Sequence, residues 1–194
     1  MTRSGRPRSF DEDTALKAAM RAFWVGGYAG TTYNDLEKET GLRRQSLTYA
    51  FGDKPDLFRR ALSHYIDERV ARAAELLSKE TSFLENLRYL LDAWEADATS
   101  GSGRGCFLVR STAELGPDAY MAQELQRGDN ILLNALTDAF RRAEEHEGLV
   151  LKASPEALAR LVISVGNGAM VQAVARQDTQ VSRTAHDALF SLIS

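Results

Sequence analysis

The sequence predicts an all-α protein with a small N-terminal three-helix unit followed by a larger helical domain. Three observations carry this expectation. Apolar residues recur at helical spacing from Asp11 to the end, helix-start signals precede most of these stripes, and strand signals are absent. At 194 residues, 44% hydrophobic and with four prolines, the chain can bury one large core or a small and a larger one.

Residues 1–9, MTRSGRPRS, show no apolar periodicity and read as a basic arm, whose Arg6 and Arg8 suit the negative potential of a narrow minor groove. Phe10-Asp11-Glu12-Asp13 supplies a cap-like Asp and further acids where the helix dipole favours them. Leu16, Ala19, Met20, Phe23 and Trp24 then form one stripe, and Gly26-Gly27 ends the first helix. Thr32, with Asp35 three residues on, opens a second helix through a variant of the capping box.

Gly41 closes that helix after only a few turns and suits the left-handed turn of a helix-turn-helix. Leu36, Leu42 and Leu47 are expected to pin the two helices together. Arg43, Arg44, Gln45, Thr48 and Tyr49 are then left facing outward. Arg pairs bidentately with a guanine edge, Gln with an adenine edge, and Thr meets a thymine methyl or a phosphate. Tyr49 is suited to a phosphate, which sets register without reading sequence.

Lys54-Pro55-Asp56 starts a fourth helix, which the stripe Leu57, Phe58, Ala61, Leu62, Tyr65 and Ile66 carries onward to Ser78. Further helices are expected over 83–98, 106–115, from the break at Gly116-Pro117 to about 147, over 154–176 and over 182–193. Ser154-Pro155-Glu156 is a strong start signal. In the last two helices Leu158, Leu161, Val162, Val165, Ala169, Val174, Leu189, Leu192 and Ile193, with Gly166 and Gly168, suggest a dimerisation face.

The net charge of −3 hides an asymmetry. Up to Gly52 there are eight Lys/Arg against six Asp/Glu; from Asp53 onward sixteen face twenty-one. A basic front on an acidic body is a hint of a nucleic-acid face. No run approaches the roughly 18 consecutive apolar residues of a membrane helix, so the cytoplasm is the default reading. One cysteine excludes an intrachain disulfide framework. Gly101-Ser102-Gly103-Arg104-Gly105 lacks the Lys-Ser/Thr of a P-loop, and His64, His146 and His186 have no ligand spacing. No catalytic site, metal or cofactor is expected.

The segment from Phe10 to Leu62 resembles the N-terminal domain of TetR-type transcriptional regulators. The resemblance rests on Ala18-Ala19 and Phe23, Gly27-Tyr28, Thr31-Thr32, Asp35-Leu36, Thr40-Gly41-Leu42, Ser46-Leu47, Phe51-Gly52-Asp53-Lys54 and Leu57-Phe58. It implies a helix-turn-helix DNA-binding domain over 1–53 and a helical ligand-sensing and dimerisation domain over 54–194. It implies a homodimer that places two recognition helices in successive major grooves of a palindromic operator, most often as a repressor released by a small molecule. Carried over by position, Thr32, Arg44, Gln45, Tyr49 and Lys54 match places where the family touches DNA. Thr48 and Ala50 depart from the family's usual Tyr and His, which puts the phosphate clamp on Tyr49.

For the sensor, Tyr65, Phe83, Tyr89, Trp94, Phe107, Met121 and Phe140 are apolar or aromatic candidates for a pocket, with Arg110 as a polar one. The run Gly105-Cys106-Phe107-Leu108-Val109 followed by Glu114-Leu115 resembles a subgroup in which some members sense electrophiles or oxidants through this cysteine. A thiol at a helix start near Arg104 and Arg110 is expected to gain thiolate character; the alternative is an inert buried side chain. A helical binding module or enzyme with a degenerate DNA-binding head is the further alternative.

Overall fold

A computed structural model describes residues 10–79, 81–99 and 105–193. The arm with Arg6 and Arg8, and Arg104, lie outside them. Among the described residues every regular element is a helix. Packing divides the chain into Met1–His64 and Tyr65–Ser194, so most of the fourth helix belongs with the first unit rather than after the sequence-based boundary at Asp53.

In the first unit, α1 (Glu12–Gly30) begins under Asp11, whose side chain accepts from the amides of Asp13 and Thr14 at 2.8 and 3.3 Å. Its buried face is Ala15, Ala18, Ala19, Ala22, Phe23 and Trp24. Leu16 and Met20, which the expected stripe included, are only half-buried. The small alanines let neighbouring helices approach, and the true face is rotated towards them. Gly27 interrupts α1 at φ 73°, ψ 176°, as the glycine pair predicts. The turn beyond it is tied back by Thr31, whose buried hydroxyl donates to the Gly27 carbonyl at 2.6 Å.

Two short helices, α2 (Tyr33–Thr40) and α3 (Arg44–Phe51), complete the motif, and α4 (Lys54–Tyr65) closes it. Leu36, Leu47, Phe51, Leu57, Phe58, Ala61 and Leu62 are all essentially sequestered from solvent. Phe23 meets Phe58 edge-on at 5.0 Å, a geometry that suits the aromatic quadrupoles. Asp53 and Asp56 accept each other's backbone amides at 3.1 and 3.3 Å, a reciprocal cap for α4 that the sequence reading did not identify.

The second unit opens with a π-helical segment, Ile66–Val70, where an uninterrupted α-helix was expected. After it come α5 (Ala71–Leu77), α6 (Phe83–Thr99), α7 (Phe107–Leu115), α8 (Ala122–His146), α9 (Pro155–Arg176) and α10 (Gln180–Ile193). The π segment is held to α8 by Arg127, which reaches Asp67 at 2.7 Å and Glu124 at 2.9 Å. Gly128 of α8 lies under Ile66 and Leu108, and a Cβ there would collide with Leu108. Glu147 caps α6 by accepting the Phe83 amide at 3.0 Å.

The core of this unit gathers Phe83, Leu87, Leu91, Leu136, Phe140, Leu158, Val162 and Leu189, among others. Five residues expected to face a partner, Leu158, Val162, Ala169, Leu189 and Ile193, are therefore spent inside the subunit. Gly166 likewise receives the Trp94 ring rather than another backbone, whereas Gly168 is open. Leu161, Val171 and Leu192 remain exposed on α9 and α10. By length and composition α9 is apolar enough to cross a membrane, with mean hydropathy 1.4, a property that a search for uninterrupted apolar runs misses. One face of α9 fills the core, and the other is the source of the excess.

Candidate nucleic-acid interface and ligand cavity

The N-terminal unit builds a rigid platform under its outward side chains. Thr32 caps α2 reciprocally: its hydroxyl accepts the Asp35 amide at 3.2 Å and the Asp35 carboxylate accepts the Thr32 amide at 2.8 Å. The Asp35 carboxyl is held below its usual range chiefly by the Thr32 hydroxyl, then by the Thr32 amide. Gly41 adopts φ 70° and turns the chain towards α3. Arg43, the last residue of that turn and the N-cap of α3, gives no side-chain cap to the helix. Glu37 supplies one from α2 instead, accepting the Arg44 amide at 2.6 Å while lying 4.0 Å from the Arg43 guanidinium.

Leu47, Ala50 and Phe51 bury one side of α3. The opposite side presents Arg44, Gln45, Thr48 and Tyr49, with Arg43 at its start, and all five are exposed, Tyr49 to 82%. Residues three and four apart on a helix are surface neighbours, so Gln45 with Thr48, Arg44 with Thr48 and Gln45 with Tyr49 join into one polar face. Ala50, counted above as a departure from the DNA-contacting pattern, lies on the buried side and is a packing residue. Thr32 is exposed at the start of α2, and Lys54 is half-exposed with its ammonium 4.8 Å above the Tyr28 ring.

Two aromatic supports were missed. Tyr33 carries the Arg44 guanidinium 4.2 Å above its ring, and Tyr28 carries Lys54. Cation–π contact restricts a long side chain without neutralising it, which keeps the charge available for a phosphate or a base edge. Sequence spacing alone did not reveal these supports: Tyr28 reads as an ordinary motif position, and nothing in the spacing singles out Tyr33.

The C-terminal unit contains a cavity of about 500 Å³. Of the expected lining, Tyr65, Tyr89 and Trp94 are present. Phe83, Phe107, Met121 and Phe140 are not; they are buried in the core, and Arg110 is exposed away from the cavity. The lining instead includes Cys106, Asp97, Asp129, Asn167 and Met170. Arg69, from the π segment, lines it as well and pairs with Asp97 at 3.5 Å. A second cavity of about 590 Å³ shares Val109, Asp129, Ile163 and Asn167 with the first.

Cys106 occupies the N-cap position of α7 without a side-chain cap, and its sulfur accepts a hydrogen bond from the Tyr65 hydroxyl at 3.3 Å. Burial nevertheless raises its thiol pKa, outweighing the Tyr65 hydroxyl and the Val109 and Leu108 amides, and the Asp129 charge raises it further. The expectation of a lowered pKa at this helix start is corrected accordingly: desolvation dominates the helix terminus. Burial also pushes the Tyr65 phenol well above its ordinary range, so it stays a proton donor.

Residues 15–61 match the family model described as bacterial regulatory proteins, tetR family. The HTH-type transcriptional repressor ComR of Escherichia coli is 36% identical over 117 residues, 59% of this chain but only 56% of ComR's own length. The HTH-type transcriptional regulator YezE of Bacillus subtilis is 30% identical over 143 residues, covering 73% of this chain and 74% of YezE. Among solved structures, a cysteine mutant of the TetR family transcriptional regulator CifR bound to 26-bp double-strand operator DNA superposes with TM-score 0.80 at 33% identity, over 95% of this chain and 98% of that one.

Proposed function

The chain belongs to the TetR family of bacterial transcriptional regulators, and we propose that it is a ligand-responsive repressor. It binds a palindromic operator in the cytoplasm as a homodimer and leaves DNA when a small molecule fills the C-terminal cavity. The observation that carries the DNA half is the exposed face of Arg43, Arg44, Gln45, Thr48 and Tyr49 on a helix whose other side is fully packed. The relatives agree: ComR is named a repressor, and CifR was solved on operator DNA.

In this reading Arg44 and Gln45 read base edges, Tyr49 and Thr32 hold phosphates, and Lys54 adds a backbone contact. The basic arm with Arg6 and Arg8 follows the adjacent minor groove. Leu161, Gly168, Val171 and Leu192 provide the apolar face on which a second copy docks. Two half-sites lie about 34 Å apart, so a ligand-driven shift of a few ångströms in α4 takes the two recognition helices out of register. The π segment that follows α4 lines the cavity through Arg69 and Val70, which makes it the natural place for that shift to start.

A gel shift with the protein's own upstream DNA tests the assignment. Affinity falls steeply with salt, as several phosphate contacts require. Arg44→Ala lowers specific affinity by about tenfold or more, corresponding to one lost base contact of roughly 1–3 kcal/mol. Unchanged specific binding by this variant removes α3 as the recognition helix.

A response through the Cys106 thiol is the second reading, favoured by the position of Cys106 in the cavity wall against Tyr65. The protonated state imposed by burial ranks it below reversible ligand binding. Cys106→Ser that keeps full release from DNA after electrophile treatment eliminates it.

A further inference from the structure

Arg44 is held by α2 through both its backbone and its side chain. Glu37 accepts the Arg44 amide at 2.6 Å, and the half-buried Tyr33 ring lies 4.2 Å beneath the Arg44 Cζ. Tyr33 and Glu37 are four residues apart on α2, so they stand on one face of that helix. Arg43 is held differently: its side chain is 90% exposed and meets the Glu37 carboxylate at 4.0 Å, with no ring beneath it among the described residues. Among those residues the Arg44 guanidinium makes no hydrogen bond and no ion pair, so the ring restrains the group while its N–H fork stays free.

We infer that Tyr33 is a positioning residue for DNA specificity: by holding the Arg44 fork in place, it makes Arg44 a reader of a guanine edge rather than a clamp on phosphate. This inference rests on the reading of α3 as the recognition helix. Arg44 opens α3, and the N-terminal residues of a recognition helix are those that reach base edges. A phosphate accepts a cation from many directions, whereas guanine O6 and N7 require two donors of one fork at one angle. A side chain restrained before binding loses less freedom on binding and swings less readily to a wrong acceptor. Lys54 over Tyr28 makes the contrast within the same unit, since a supported point charge without a fork suits phosphate alone. At an exposed site the ring contact is worth only a few-fold in population, which sets the size of the effect on discrimination.

The test lets the full-length protein, Arg44→Ala, Tyr33→Leu and Tyr33→Phe each select duplexes from a randomised pool. The native protein enriches a half-site with a guanine at one position that Arg44→Ala leaves unselected. Duplexes carrying guanine, adenine or 7-deazaguanine there are then titrated. The native protein favours guanine over adenine by about tenfold and loses part of that preference with 7-deazaguanine, which lacks N7. Tyr33→Leu cuts the preference to about threefold, while its affinity for a scrambled duplex and its salt dependence stay native. Tyr33→Phe, which keeps the ring, keeps the preference. If Tyr33→Leu does not fold, Arg44→Lys stands in: it leaves a cation over the ring without the fork, and loses the guanine preference at unchanged affinity for the scrambled duplex. Native discrimination in Tyr33→Leu, lost discrimination in Tyr33→Phe, a retained guanine preference in Arg44→Lys, or a position read by Arg44 that is not guanine overturns the proposal. Selection of the same half-site by Arg44→Ala and the native protein rejects the reading of α3 itself, and the inference with it.

Discussion

In the N-terminal unit the side chains that matter point out, and the scaffold beneath them is closed by short local devices: the Thr32–Asp35 cap, the Gly41 turn, the Asp53–Asp56 cap and Glu37 on the Arg44 amide. In the C-terminal unit the candidate residues line a cavity, and Tyr65, Trp94, Cys106 and Asn167 are drawn from helices separated by up to about a hundred residues of sequence. The contrast follows from the two tasks. A surface that meets a rigid duplex needs exposed donors on a stiff frame, while a surface that encloses a small molecule needs shielding, which only distant packing creates.

Phe140→Ala is the harshest way to break the comparison. This ring is fully buried and lies 4.5 Å from that of Phe83, so its loss costs about 3–5 kcal/mol and lowers the melting temperature of the C-terminal unit. If Phe140 lined the ligand cavity instead, the variant would change ligand affinity at nearly native stability. Thr32→Ala is milder. Removal of the cap costs about 1 kcal/mol, and a gel shift shows weaker binding to every DNA sequence because a phosphate contact is lost as well. A drop in affinity confined to one operator sequence would instead make Thr32 a base reader.

The smallest effect is a pH dependence at His186. Its side chain is buried, and desolvation lowers its pKa, which the neighbouring Glu95, Asp92 and Asp187 only partly oppose. A base whose folded pKa is depressed stays neutral in the native state while the unfolded chain takes up a proton. Its contribution to stability is therefore present above the ordinary histidine pKa of about 6.5 and is lost as pH falls from there towards the depressed value. Thermal melts of the native protein and His186→Gln should diverge in slope across that window. Parallel curves would assign the acid sensitivity to other groups.

Much of the reading unit was legible because its determinants are local. Thr32 and Asp35 are three residues apart, Gly41 needs only its own backbone, and the buried Leu47 and Phe51 define by exclusion which α3 residues face out. The supports from Tyr33 and Tyr28 were not, since a ring beneath a cation is a matter of three-dimensional approach. In the sensor, Phe83, Phe107, Met121 and Phe140 were indistinguishable from cavity residues, because an apolar stripe says that a side chain is shielded from water and not whether protein or a void shields it. The π segment at Ile66–Val70 carries no periodicity signal of its own.

By itself the sequence determined the helical class, the Asp11, Thr32 and Ser154 caps, the Gly41 turn and the outward face of α3, since each depends on hydrogen bonds and periodicity within a few residues. Only the tertiary structure decided which half of the α9 and α10 apolar surface is core and which is open, where the cavities lie, and why the Cys106 thiol is raised. Those properties are set by desolvation and by charges brought together across the fold, and neither is encoded in any single stretch of chain.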